Sequence, residues 1–236
     1  MMMIRHLGAA AAFILALVSA ADAQQAPPPV AAAPGQIMIK GKPYVYDRDN
    51  AMDVMRICAG CHGELGAGGG GGSYPRLGGL NADYLADQMR KFKSRERENI
   101  PMIPFAVDRE LNEQDVLDVT RFLSEVKLDT KPPADMPNDG YARLQIMKKV
   151  LQIPREAGDL AAGKEFYGND CAPCHGRKGE GRLKKPLLAP QHISYLKVQV
   201  ASFLSGKRPH DDVELLKSKS ETEWANLWAY LSSLQD

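Results

Sequence analysis

With 236 residues, 30 basic and 29 acidic side chains and a formal net charge of +1, the chain has no charge excess to draw it to nucleic acid or to an acidic membrane surface. Its length admits one domain or two. All four of its cysteines fall into two short segments of the same pattern.

Arg5 and His6 precede an apolar run from Leu7 to Ala20, and Ala21-Asp22-Ala23 then offers small residues where a signal peptidase reads. Residues 1–23 are therefore expected to be a secretory signal peptide, cut before Gln24. The run is shorter than the roughly 20 residues needed to span a bilayer, no cysteine near the cut offers a lipid site, and no later segment is apolar for long enough. A mature chain in the periplasm is the expectation. Residues 24–43, rich in Ala, Pro and Gln near their start, are expected to form a flexible tether.

The first half, 44–130, carries apolar Met52, Met55 and Ile57 at helical spacing, with Asp49 or Asn50 as candidate N-cap. That helix ends in Cys58-Ala59-Gly60-Cys61-His62. Two cysteines two residues apart and followed at once by histidine form the attachment site of a c-type haem: both thiols bond to the porphyrin edge and the histidine binds iron. The alternative, four thiolates sharing one zinc, leaves His62 and His175 unused and requires two distant pairs to converge. The glycine-rich run at 66–72 lacks the Lys-Ser/Thr ending of a phosphate loop and is expected to pass over the haem edge. Tyr84, Leu85, Gln88, Met89 and Phe92 form the inner face of a second helix, with Met89 packing the core. Met102 lies between Pro101 and Pro104, which stiffen the chain around it; it is the candidate sixth ligand opposite His62, held without help from backbone hydrogen bonds. Leu111 to Asp115 caps a last helix, with Val116, Val119, Phe122 and Leu123 inward.

Residues 131–157 read as a connector with an extra helix over Tyr141–Leu151, whose apolar face must bury against one or both halves. In the last part, 158–236, Asp159 starts a helix that delivers Cys171-Ala172-Pro173-Cys174-His175, the second haem motif. The halves repeat: Tyr84-Leu85 with Gln88 and Phe92 matches Tyr195-Leu196 with Gln199 and Phe203, and Phe122-Leu123 matches Tyr230-Leu231, as expected of two copies of one small fold. No methionine follows Met147. His210 lies 21 residues before Leu231, as Met102 lies 21 before Leu123, whereas counting forward from the tyrosines puts Val213 at the Met102 position. Valine cannot bind iron, so His210 is the candidate sixth ligand of the second haem; His192, Met147, a lysine or an open iron are the alternatives.

Both Cys-x-x-Cys-His-Gly segments, the Tyr-Leu…Gln helices, Met102 before Leu111-Asn112-Glu113-Gln114-Asp115 and the terminal helices resemble the tandem diheme class I cytochromes c of bacterial periplasms, the c-four type. The resemblance covers roughly 45–128 and 158–235. It implies an all-α protein of two tandem class I cytochrome c domains, each enclosing one covalent haem c, whose propionate edges approach one another across the domain interface. It also implies an electron carrier rather than an enzyme, working between redox protein partners such as a membrane cytochrome complex, terminal oxidase, reductase or dehydrogenase, with no nucleic acid partner. Carried over, Cys58, Cys61, His62 and Met102 would serve haem one, and Cys171, Cys174 and His175 haem two. The missing second methionine and the long connector depart from the family. A cytochrome subunit of a larger dehydrogenase, or a haem enzyme such as a sulfur-compound dehydrogenase acting at haem two, stand as alternatives. Arg177, Lys178, Arg182, Lys184 and Lys185 form either a basic docking rim around haem two or a merely solvated loop.

Overall fold

The computed structural model describes residues 36–235; the expected signal peptide, its cleavage point and most of the expected tether lie outside them. Order begins ahead of Tyr44. Strands β1 (Met38–Ile39) and β2 (Lys42–Pro43) pair antiparallel, turned by Lys40 and Gly41 at positive φ.

Three helices follow. The first, α1, runs Arg48–His62 and is capped by Asp47, whose carboxylate accepts from the amides of Asp49 and Asn50. The cap thus lies ahead of both residues expected to provide it. Helix α2 (Ala82–Ser94) is capped by Asn81, and α3 (Glu113–Glu125) opens on a reciprocal Asn112–Asp115 capping box. Helices α1 and α2 both pack on α3, burying Val54, Met55, Leu85, Val116, Val119 and Leu123, with Met89 against the same cluster as expected.

The connector differs from its expected form. Helix α4 covers only Gly140–Met147 and buries none of its residues; Leu144 is 52% exposed. The burial comes from the extended chain after it. There the Asp129 amide donates to Lys149 (3.0 Å) and the Leu151 amide donates to Asp129 (2.7 Å), and Leu151 and Ile153 enter the second core.

The second half repeats the plan with one break. Helix α5 (Leu160–Phe166) gives way to a wider helical turn over Tyr167–Cys171 before α6 (Ala172–His175). Proline has no N–H and its ring crowds the carbonyl four residues back, so Pro173 divides here what Ala59-Gly60 leaves continuous in α1. Helices α7 (Ile193–Leu204), α8 (Val213–Lys217) and α9 (Glu221–Ser233) complete the chain. Helix α5 lies so close on α9 that a Cβ at Gly163 would stand 2.0 Å from the Asn226 carbonyl. Among the described residues no helix is long and apolar enough to cross a membrane.

The halves meet through polar contacts made by backbone as much as by side chains. The Arg76 amide donates to Gln191 Oε1 (2.8 Å) and Gln191 Nε2 donates back to the Arg76 carbonyl (2.9 Å). The close contacts of the glycine run include the second half: His192 Nε2 bonds the Ala67 carbonyl at 2.9 Å, and Cβ atoms at Gly68 and Gly72 would stand 2.4 Å from His192 Nε2 and Ser194 Oγ.

Candidate haem sites

Each motif occupies the last turn of a helix, closed by a glycine at positive φ: Gly63 after α1 (φ 76) and Gly176 after α6 (φ 85). A spacing of three places both cysteines of a pair on one helical face. His62 Nδ1 lies 3.0 Å from the Pro75 carbonyl, and His175 Nδ1 lies 2.8 Å from the Pro186 carbonyl. A carbonyl can only accept, so Nδ1 carries the proton and Nε2 keeps its lone pair, the arrangement an iron ligand needs. Burial lowers both histidine pKa values, against the opposing pull of the carbonyl bonds, so both rings are neutral near pH 7. Burial likewise pushes the Cys58 thiol up to about 11 and the Cys171 thiol to about 12. No disulfide joins the four cysteines. Among the described residues no group of three or more Cys, His, Asp or Glu is placed to hold a metal ion.

Met102 ends a single 3-10 turn, Ile100–Met102, and is half-buried. Backbone hydrogen bonds do hold it, contrary to expectation: its amide donates to Asn99 (2.9 Å), and its carbonyl accepts from Phe105 (3.1 Å) and Ala106 (3.0 Å). The two prolines and these bonds together fix the turn.

His210 lies between α7 and α8, its ring 4.8 Å from that of Phe203. It shares with Cys171, Cys174 and His175 a cavity of about 360 Å³, walled by Leu196, Val200, Leu216, Trp224 and Leu231. Its Nδ1 accepts from the Asp212 amide at 3.2 Å, the opposite polarity to His62 and His175. Binding iron through Nε2 would require Nδ1 to take the proton and give up that amide. His192 is spent at the interface, on Ala67.

The same cavity opens onto Tyr84 and Gln88 of the first half, where sequence reasoning had overlooked two arginines. Arg97 donates to Gln88 Oε1 (2.8 Å), Gln199 Oε1 (2.9 Å) and the Tyr195 hydroxyl (3.1 Å), and lies over Phe92. Arg208 donates to Gln199 Oε1 (2.6 Å), Gln88 Oε1 (3.0 Å) and the Tyr84 hydroxyl (3.1 Å), and lies over Phe203. Every member has a counterpart 111 positions on: 84 and 195, 88 and 199, 92 and 203, 97 and 208. Extending the repeat nine residues past Gln88 and Gln199 would have found both arginines.

Neither guanidinium has a carboxylate partner among the described residues. Arg97 is buried and Arg208 half-buried; a cation withdrawn from water that meets only neutral acceptors is poorly compensated, and planar guanidinium suits carboxylate in two-point contact. The acid groups carried by haem are anions of that kind. The residues therefore fit the cofactor on three counts: attachment thiols, oriented imidazoles and waiting cations.

Two helical halves, each ending its first helical segment in a haem-attachment motif, define a tandem diheme c-type cytochrome. The family model for cytochrome c matches residues 52–127 and 160–235, and the chain belongs to that family. It is 32% identical over 160 residues to a thiosulfate dehydrogenase electron acceptor of Thiomonas intermedia, covering 67% of this chain and 68% of that one. To cytochrome c4 of Azotobacter vinelandii it is 32% identical over 182 residues, covering 72% and 78%. Among solved structures, reduced cytochrome c4 of Pseudomonas stutzeri superposes with a TM-score of 0.59 at 19% identity, over 80% of this chain and 98% of that one, a likeness of fold. The protein is thus a diheme electron-transfer protein with two covalent haem c groups, homologous to periplasmic c4-type cytochromes.

Proposed function

We propose that the chain carries electrons in the periplasm between a dehydrogenase and a second redox protein, with His62 and Met102 as axial ligands of haem one and His175 and His210 as those of haem two. Each haem, when bound, supplies a one-electron ferric/ferrous couple; the polypeptide sets its potential and the surface through which it is reached. The observation that carries this reading is the pair of histidines held with Nε2 free by the Pro75 and Pro186 carbonyls. Relatives named as electron acceptors of thiosulfate dehydrogenase favour a dehydrogenase as donor.

Methionine favours ferrous iron and a second imidazole favours ferric iron, so haem one is expected at the higher potential. Redox titration followed by low-temperature electron paramagnetic resonance should resolve two ferric species, the methionine-ligated one reducing first. Met102→Ala should abolish the sulfur-to-iron absorption of the oxidised protein. A band that survives this change rules out Met102, and two methionine-type signatures rule out His210.

A further inference from the structure

The turn after the second motif has features that folding alone does not call for. Between Gly176 and Leu187 the chain carries five cations and one acid. The acid is already engaged: Glu180 accepts from the Lys178 amide at 2.7 Å, and backbone amides hold its carboxyl below the usual range. Lys185 pairs with Asp211. Arg177, Lys178, Arg182 and Lys184 remain, all exposed and without an ion pair among the described residues.

At the tip, reciprocal backbone bonds between Arg182 and Lys185 (3.1 and 2.8 Å) close a two-residue turn whose first corner is Leu183. Leu183 has φ +52 and is 87% exposed. A leucine in the left-handed region is strained by its Cβ, and an exposed side chain gains nothing from burial to offset that strain. Glycine would make the same turn without it. Burial of Leu183 against another surface would supply the missing gain. The position is specific too, because Pro186 of this turn carries the carbonyl that orients His175, and Lys184 and Lys185 reach the cavity beside Cys174.

We propose that residues 177–185 are the docking site for an acidic redox protein at haem two. Leu183 enters an apolar depression on that protein, and the four unpaired cations face its carboxylates. An anionic bilayer would meet the same charges, but a single leucine is a weak anchor in lipid, and a place beside the axial histidine serves electron exchange with another redox centre. The inference rests on the electron-carrier reading.

The test uses the mature holoprotein in stopped-flow electron exchange with acidic plastocyanin as a protein probe, and with hexaammineruthenium as a small cationic one. The plastocyanin rate should fall as salt rises. Lys178→Gln with Arg182→Gln, both outside the cavity lining, should lower it about tenfold at low salt and flatten the salt dependence, with both potentials kept. Leu183→Gly should raise the melting temperature, by relieving the turn, and lower the plastocyanin rate about threefold with the salt slope unchanged. Unaltered plastocyanin rates in both variants would overturn the proposal, as would binding to phosphatidylglycerol vesicles that the variants lose while those rates persist. Failure of haem two to exchange electrons even with hexaammineruthenium would instead overturn the carrier reading.

Discussion

Asp118 is fully buried in the first half, yet its carboxylate is answered on every side. It accepts from the Tyr44 hydroxyl (2.9 Å), the Asp47 amide (3.0 Å), Asn50 Nδ2 (2.9 Å) and Gln114 Nε2 (2.9 Å). One side chain thus ties the segment before α1, the first turn of α1 and α3. Burial, and then the bond to Asp118, raises the Tyr44 phenol far above its usual pKa, so it stays a neutral donor. Asp118→Ala removes an acceptor from four donors, of which Asn50 Nδ2 and Gln114 Nε2 keep Asp115 and the Val45 carbonyl, and should cost about 3–5 kcal/mol, read as a lower denaturation midpoint. A loss under about 1 kcal/mol would mean that water takes over these bonds. The six haem-motif residues could be read from the sequence because covalent attachment demands their spacing. Asp118 could not, since its role depends on donors up to 74 positions away.

Among the elements, helices whose apolar spacing is regular and whose caps are local were legible: α2, α3 and α9 follow from periodicity plus Asn81, the Asn112–Asp115 box and the Ser220–Glu223 box. Two elements were not. Helix α4 has apolar residues yet only half-buries Ile146 and Met147, because the chain beyond it takes the buried place. The contacts of the glycine run to His192 and Ser194, more than a hundred positions along the chain, follow from no local pattern. Gly72 has φ +90, and a Cβ there would meet Ser194 Oγ at 2.4 Å and His192 Cβ at 3.2 Å. Gly72→Ala should therefore destabilise the protein by about 1–3 kcal/mol. Gly140→Ala, with nothing within 4 Å of its Cβ, should be neutral or slightly stabilising. Equal melting temperatures for the two variants would show that the run yields without cost.

At the scale of the whole molecule, Arg97 and Arg208 each bond residues of both halves, so the charge of either is shared between the sites. A buried cation favours the reduced, less positive iron. Arg97→Gln should therefore lower both haem potentials, by about 30–60 mV each, a three- to tenfold change in a one-electron equilibrium. A shift confined to one haem would contradict a shared network. The duplication itself was plain in the sequence. What it concealed is that matched positions meet each other's partners: Arg97 reaches Tyr195 as Arg208 reaches Tyr84.

That reciprocity is the pattern of an isologous contact, in which position i of one copy meets j of the other and j meets i. Either half alone therefore bears both faces of the arginine network. The chain is in effect a homodimer with its subunits spliced end to end, and the segment between the two matched regions, 128–159, replaces a diffusing partner with a fixed effective concentration. A junction assembled in this way stays closed with an intrinsic affinity too weak to hold two free subunits together.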